Sequence, residues 1–136
     1  MTLSLQEMSD RFEIQDMLYH YADIIDRQAA DELRDVFTDD AAVDYSAFGG
    51  VVGDLETTIA FLKEALPAFS NTQHLNANVQ IRVDGDRATG RVMCFNPMEM
   101  PIGDEDSSQL GDFIEDKNFE APDHVTMRKL LREELV

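Results

Sequence analysis

The chain has 136 residues, of which 43% are apolar and 29% charged, a globular composition of single-domain size. Eleven Lys and Arg stand against 28 Asp and Glu, a net charge of −17 that repels phosphate backbones and anionic bilayers and excludes nucleic acid and membrane surfaces as expected partners. No apolar run approaches the ~20 residues that span a bilayer, and MTLSLQEMSD lacks a basic, apolar leader, so a cytoplasmic protein is expected.

Ser4 with Glu7 forms a capping box, and Ser9-Asp10 offers a second helix start. Ile14, Met17, Leu18, Tyr21, Ala22 and Ile25 then recur at helical spacing, which predicts an amphipathic helix over about 9–27. A short second helix is predicted from Ala30 to Phe37, with Leu33, Val36 and Phe37 inward. Thr38-Asp39-Asp40 breaks it, and Ala41 to Tyr45 reads as a short strand. Gly49, Gly50 and Gly53 mark a loop. Asp54 caps a third helix with the stripe Leu55, Ile59, Leu62 and Leu66, and Pro67 lies near its end.

Leu75, Ala77, Val79, Ile81 and Val83 alternate with polar residues, the period-2 pattern of a strand with one apolar face. Asp84-Gly85-Asp86 is a hairpin turn, and Ala88 to Phe95 returns as the partner strand. The order helix, helix, strand, helix, strand, strand predicts an α+β domain over residues 1–100, with helices packed on an antiparallel sheet. Residues 101–136 differ in character. They carry ten acids, four bases and the breakers Gly103, Gly111 and Pro122. They read as an acidic tail with a short helix over Val125 to Leu135.

Three residues are candidates for chemistry. Asp26 lies near the end of the first helix, at the edge of its apolar stripe. It reads either as a solvated aspartate paired with Arg27 or Arg34, or as a carboxylate facing a half-apolar cavity. His74 enters the long strand in NTQHL. Strict alternation puts it on the polar face with Asn76, Asn78 and Gln80, whereas a carboxylate partner would hold it as an acid or base. Tyr45 ends the first strand. It is either a core tyrosine or a phenol able to donate to a developing oxyanion. His20 lies opposite the apolar stripe, and His124 falls in the tail. Metal and nucleotide motifs are absent: His20 and Asp23 have no second ligand set, and Gly49 to Gly53 lacks the order of a phosphate loop. No cofactor is expected. The one cysteine, Cys94, has no disulfide or zinc partner and reads as a small hydrophobe in VMCF.

The pattern YADIIDRQAADELRDVFTDDAAVDY, followed by a Gly-rich loop, a helix and NTQHL, resembles the nuclear transport factor 2-like superfamily. Within it the likeness is to SnoaL-like polyketide cyclases and scytalone dehydratase, over residues 9–96. The resemblance implies a cone: a curved antiparallel sheet wrapped on three helices around a pocket. It implies that Asp26 and His74 are the acid/base pair, that Tyr45 reaches the same pocket, and that Tyr21, Phe48, Leu62, Val92 and Phe95 line it. His74 could face inward only through a bulge near Asn76 or Asn78. The chain departs from the family where a second catalytic histidine would fall near Val92, in Ala29-Ala30 after Gln28, and in the missing tryptophan and C-terminal strand pair.

Two functions follow as expectations. One is a cofactor-independent dehydratase, isomerase or cyclase acting on a small apolar carbonyl compound. The other is a non-catalytic ligand-binding or assembly module of the same fold. A homodimer is expected, built on the polar face of the long strand.

Overall fold

The computed structural model describes residues 2–101; the acidic tail and its expected helix lie outside the described residues. Helix α1 spans Leu5–Asp26. It starts earlier than its apolar stripe because Ser4 supplies the cap, accepting a hydrogen bond from the Glu7 amide at 3.0 Å. A 3₁₀ turn, Ala30–Asp35, takes the place of the expected second α-helix. Strand β1, Ala42–Asp44, pairs antiparallel with β2, Val52–Asp54, and Asp54 then caps α2, Leu55–Ala65, through the Thr57 amide. β3, Asn71–Thr72, pairs with β6, Met98–Glu99. β4, Leu75–Asp84, pairs with β5, Arg87–Phe95, across the predicted Gly85 hairpin.

The expected single curved sheet is present among the described residues as three two-stranded antiparallel ladders. β2, β3 and β6 escape a sequence reading because two or three residues cannot establish an alternation.

Helix α1 serves two apolar clusters. Its C-terminal half places Ile24 and Ile25 against Ala30, Leu33, Val36 and the α2 stripe Leu55, Ile59, Leu62 and Leu66. Its middle places Ile14 and Leu18 on Val92, flanked by Val79, Ile81, Val83 and Ala88 of the β4–β5 hairpin. Each fully buried aliphatic side chain, such as Ile24 or Leu33, contributes about 1.5–3 kcal/mol. Tyr21 lies between the two clusters along the helix and packs on the first.

The alternation predicted for β4 is broken midway. Partners run Leu75↔Phe95, Asn76↔Cys94 and Ala77↔Met93, then jump to Gln80↔Arg91. The extra residue is accommodated at Asn78, whose φ of +48° lies in the left-handed region. Beyond the bulge Val79, Ile81 and Val83 face α1. Before it the parity reverses: Asn76 turns inward and donates to the Leu18 carbonyl at 3.0 Å, while Leu75 is left 49% exposed. The reading of Leu75 and Ala77 as part of one buried face is therefore corrected, and so is that of Asn76 as a member of an outward polar face.

Candidate active site

Helix α1 ends in Asp26, and the chain returns to it 48 residues later at His74, just before β4. The two side chains are in direct contact. His74 Nδ1 lies 2.7 Å from Asp26 Oδ1, and the His74 backbone N–H donates to Asp26 Oδ2 at 2.8 Å. The hydroxyl of Thr72, a buried residue, adds a third bond to Oδ1 at 3.1 Å. The carboxylate thus accepts from one side-chain hydroxyl, one amide and one ring nitrogen, an arrangement that suits its ionised form. The His74 side chain is only 9% exposed, against 26% for Asp26. With Nδ1–H donating to Asp26, Nε2 keeps its lone pair, the tautomer a general base requires.

Tyr45 follows β1 and opens a tight loop that closes on its own backbone. Its N–H donates to the Val51 carbonyl at 2.8 Å, and its carbonyl accepts from Phe48 and Gly50, both at 3.0 Å. A Cβ on Gly50 would lie 2.7 Å from Tyr45 Cβ and 3.3 Å from Phe61 Cε1, so only glycine lets the loop close here. The Tyr45 hydroxyl is 2.6 Å from that of Tyr21. The Tyr21 ring in turn meets His74 edge to face, with centroids 6.4 Å apart at 89°, and Phe37 at 5.9 Å and 80°. Burial raises the phenol pKa of both tyrosines. Tyr45's charge and hydrogen bond push Tyr21 further up, whereas Tyr21's hydrogen bond pulls Tyr45 back down.

The structure brings Asp26 and His74 together directly and joins Tyr45 to them through Tyr21. Leu62 is buried in the cluster that Tyr21 and Tyr45 pack against. Val92 lies in the other cluster, between β5 and α1. Phe48 and Phe95 are 58% and 68% exposed. His20 is exposed on α1.

Two residues at the site were not singled out by sequence reasoning. Thr72 has the same parity as His74, which was its only signal. Cys94 follows Val92 by two on β5. Partial burial and the negative charge of Asp26 raise its thiol pKa, although the residue is exposed. Among the described residues no group of three His, Cys, Asp or Glu is placed to hold a metal, and no helix is long and apolar enough to cross a membrane.

This geometry can be set beside known proteins. A family model described as a SnoaL-like domain matches residues 6–117. The chain belongs to the SnoaL-like domain family. The SnoaL-like chain is 46% identical over 96 residues to the uncharacterized protein Rv2910c of Mycobacterium tuberculosis, a match covering 71% of this chain and 65% of that protein. It therefore spans less than two thirds of that curated relative. The crystal structure of the Kfla4162 protein from Kribbella flavida superposes with a TM-score of 0.64 at 31% identity, covering 69% of this chain and 66% of the other. A protein provisionally assigned as a scytalone dehydratase, from Novosphingobium aromaticivorans, gives a TM-score of 0.63 at 20% identity, covering 72% and 66%. These superpositions establish the nuclear transport factor 2-like fold for the SnoaL-like chain. A shorter similarity, 38 residues at 60% identity, is to the RNA polymerase sigma factor SigA of Lactococcus lactis; it covers 28% of this chain and 10% of that protein, too little to carry a shared fold.

Proposed function

We propose that this SnoaL-like protein is a cofactor-independent lyase or isomerase that moves a proton next to the carbonyl of a small, largely apolar compound. The observation that carries the reading is the Asp26–His74 pair, with the carboxylate held by three hydrogen bonds and the imidazole largely shielded from water. Asp26 fixes the ring and balances the imidazolium formed when Nε2 takes a proton. Tyr45 donates to the carbonyl oxygen as negative charge develops there. Dehydration follows if the enolate expels a β-hydroxyl, which takes the proton from His74 and leaves as water. Isomerisation follows if His74 returns the proton to another carbon, and cyclisation if the enolate carbon attacks a second carbonyl of the same molecule, whose oxygen then takes the proton.

The alternative, a non-catalytic ligand-binding or assembly module, is favoured by one observation. Val92, where relatives of the dehydratase type are expected to carry a second histidine, is buried against Ile14 and Leu18. No second imidazole can serve the site from that position. The two readings separate in D₂O. Incubation with a panel of small cyclic ketones and β-hydroxyketones, followed by NMR, should show deuterium entering beside the carbonyl or loss of water. His74→Gln should slow this by about 10²–10⁴-fold. Ligands that bind but exchange no faster than in buffer would favour the module.

We also propose a homodimer. The outer face of the β4–β5 hairpin exposes Leu75, Met93 and Phe95, a more apolar surface than the one read from the sequence. Light scattering at micromolar concentration should give twice the chain mass; a monomer there would exclude the dimer.

A further inference from the structure

Tyr21 touches both halves of the site, the Tyr45 hydroxyl through a 2.6 Å hydrogen bond and the His74 ring through an edge-to-face contact. Two phenols sharing one hydrogen bond leave one proton over, and which tyrosine keeps it decides which of them can donate to a ligand. Either oxygen could be the donor on distance alone. The surroundings break the tie. Tyr21 sits deeper than Tyr45, its ring is flanked by Phe37 and His74, and among the described residues its hydroxyl has no other hydrogen-bond partner. If Tyr45 donated inward, the Tyr21 proton would be left in a buried setting shared with Phe37, His74 and the Cys94 thiol, with no hydrogen-bond acceptor among the described residues, the costlier arrangement. Tyr45, by contrast, borders the exposed loop Ser46–Gly49, so its proton is the one that a bound molecule can reach.

We propose that Tyr21 is a positioning residue whose hydroxyl donates inward to the Tyr45 oxygen, so that Tyr45 presents the outward proton to a ligand oxygen of carbonyl, enol or phenol type. This deepens the function proposed above and rests on it for the identity of the ligand. As Tyr45 shares its proton with such an oxygen, negative charge grows on the Tyr45 oxygen, and the inward bond from Tyr21 strengthens in step. The directions of the two phenol shifts agree: the shared bond disfavours the Tyr21 phenolate and favours that of Tyr45. The ring contact also ties the donor to the base, because Tyr21 cannot swing away from Tyr45 without uncovering an edge of His74. Neither Tyr21 nor Tyr45 alone carries a signal for this arrangement in the sequence, since they are 24 positions apart.

The test needs no substrate. All three tyrosines are replaced by 2,3-difluorotyrosine, which brings their titration below alkaline unfolding, and each is followed by ¹⁹F NMR. Tyr21→Phe keeps the ring and its contacts with Phe37 and His74. It should make the Tyr45 phenol about tenfold less acidic, because the phenolate loses its donor. Tyr45→Phe should make the Tyr21 phenol more acidic, because its proton loses an acceptor and its oxygen loses a charged neighbour. A Tyr45 phenol that is unchanged or becomes more acidic in Tyr21→Phe overturns the proposal, as does a Tyr21 phenol that becomes less acidic in Tyr45→Phe. The two variants report independently, so a folding failure in one leaves the other decisive. Since the readout is a titration of the free protein, failure of the enzymatic reading leaves it standing, and its own failure leaves that reading open.

Discussion

Asp26 grips His74 twice, by the ring nitrogen at 2.7 Å and by the backbone N–H at 2.8 Å. The second bond matters as much as the first. It fixes where the imidazole starts as well as which way it points, so a helix end and a strand start are joined at the atoms expected to react.

Asp26→Asn should loosen this joint. An amide offers one acceptor oxygen where the carboxylate offers two, and its NH₂ would face a donor from either Thr72 or His74. The expected loss of stability is about 1–3 kcal/mol in urea unfolding. ¹⁵N NMR of the ring should show His74 passing from one fixed tautomer to a mixture. A single tautomer retained in the variant would mean that something other than Asp26 holds the ring.

Gly50→Ala addresses Tyr45 from the backbone. The added methyl would sit 2.7 Å from Tyr45 Cβ, so the loop or the tyrosine must move, at a cost of about 1–3 kcal/mol. The fold should survive while the Tyr21–Tyr45 contact is lost, seen as a shift of both tyrosine ring signals. Unchanged signals and stability would show that the loop yields without disturbing Tyr45.

Asn78 holds the left-handed conformation that lets β4 change parity. Asparagine and glycine tolerate it, whereas a β-branched residue pays about 1–2 kcal/mol or more. Asn78→Gly should stay within about 1 kcal/mol of the parent, and Asn78→Val should be clearly less stable, with Leu75 and Ala77 drawn toward the core. Equal stability of the two variants would remove the bulge from the account of how His74 faces inward.

Asp54 caps α2 through the Thr57 amide, and that bond holds its carboxyl below the ordinary value of 3.8. A depressed folded-state pKa means stability that is present above 3.8 and lost as pH falls through the folded value. Asp54→Ala should therefore lower Tm at neutral pH, and the gap from the parent should narrow on acidification below about pH 3.8. A gap that widens in acid would reverse the sign of this contribution.

Much of this chain is decided by rules that act over a few residues. Ser4 and Asp54 start their helices because a side-chain oxygen three positions ahead of an amide can satisfy it. Gly85 turns the hairpin because it alone bears a φ of +61° at no cost. The apolar stripe of α1 and the charge of −17 are likewise properties of the string. The meeting of Asp26 with His74 is of another kind. Read as one unbroken strand, β4 sends His74 outward, and only the family resemblance pointed the other way. Pairing of β4 with β5 in the folded chain places the bulge at Asn78, and that one extra residue reverses every side chain before it. Tyr21 and Tyr45 meet for a similar reason: α1 and the loop after β1 close on the same cluster of Leu33, Leu55, Ile59 and Leu62. Local periodicity specifies which face of an element is apolar. Which polar groups then confront one another is set by how those faces are covered, and that depends on packing between residues far apart in the chain.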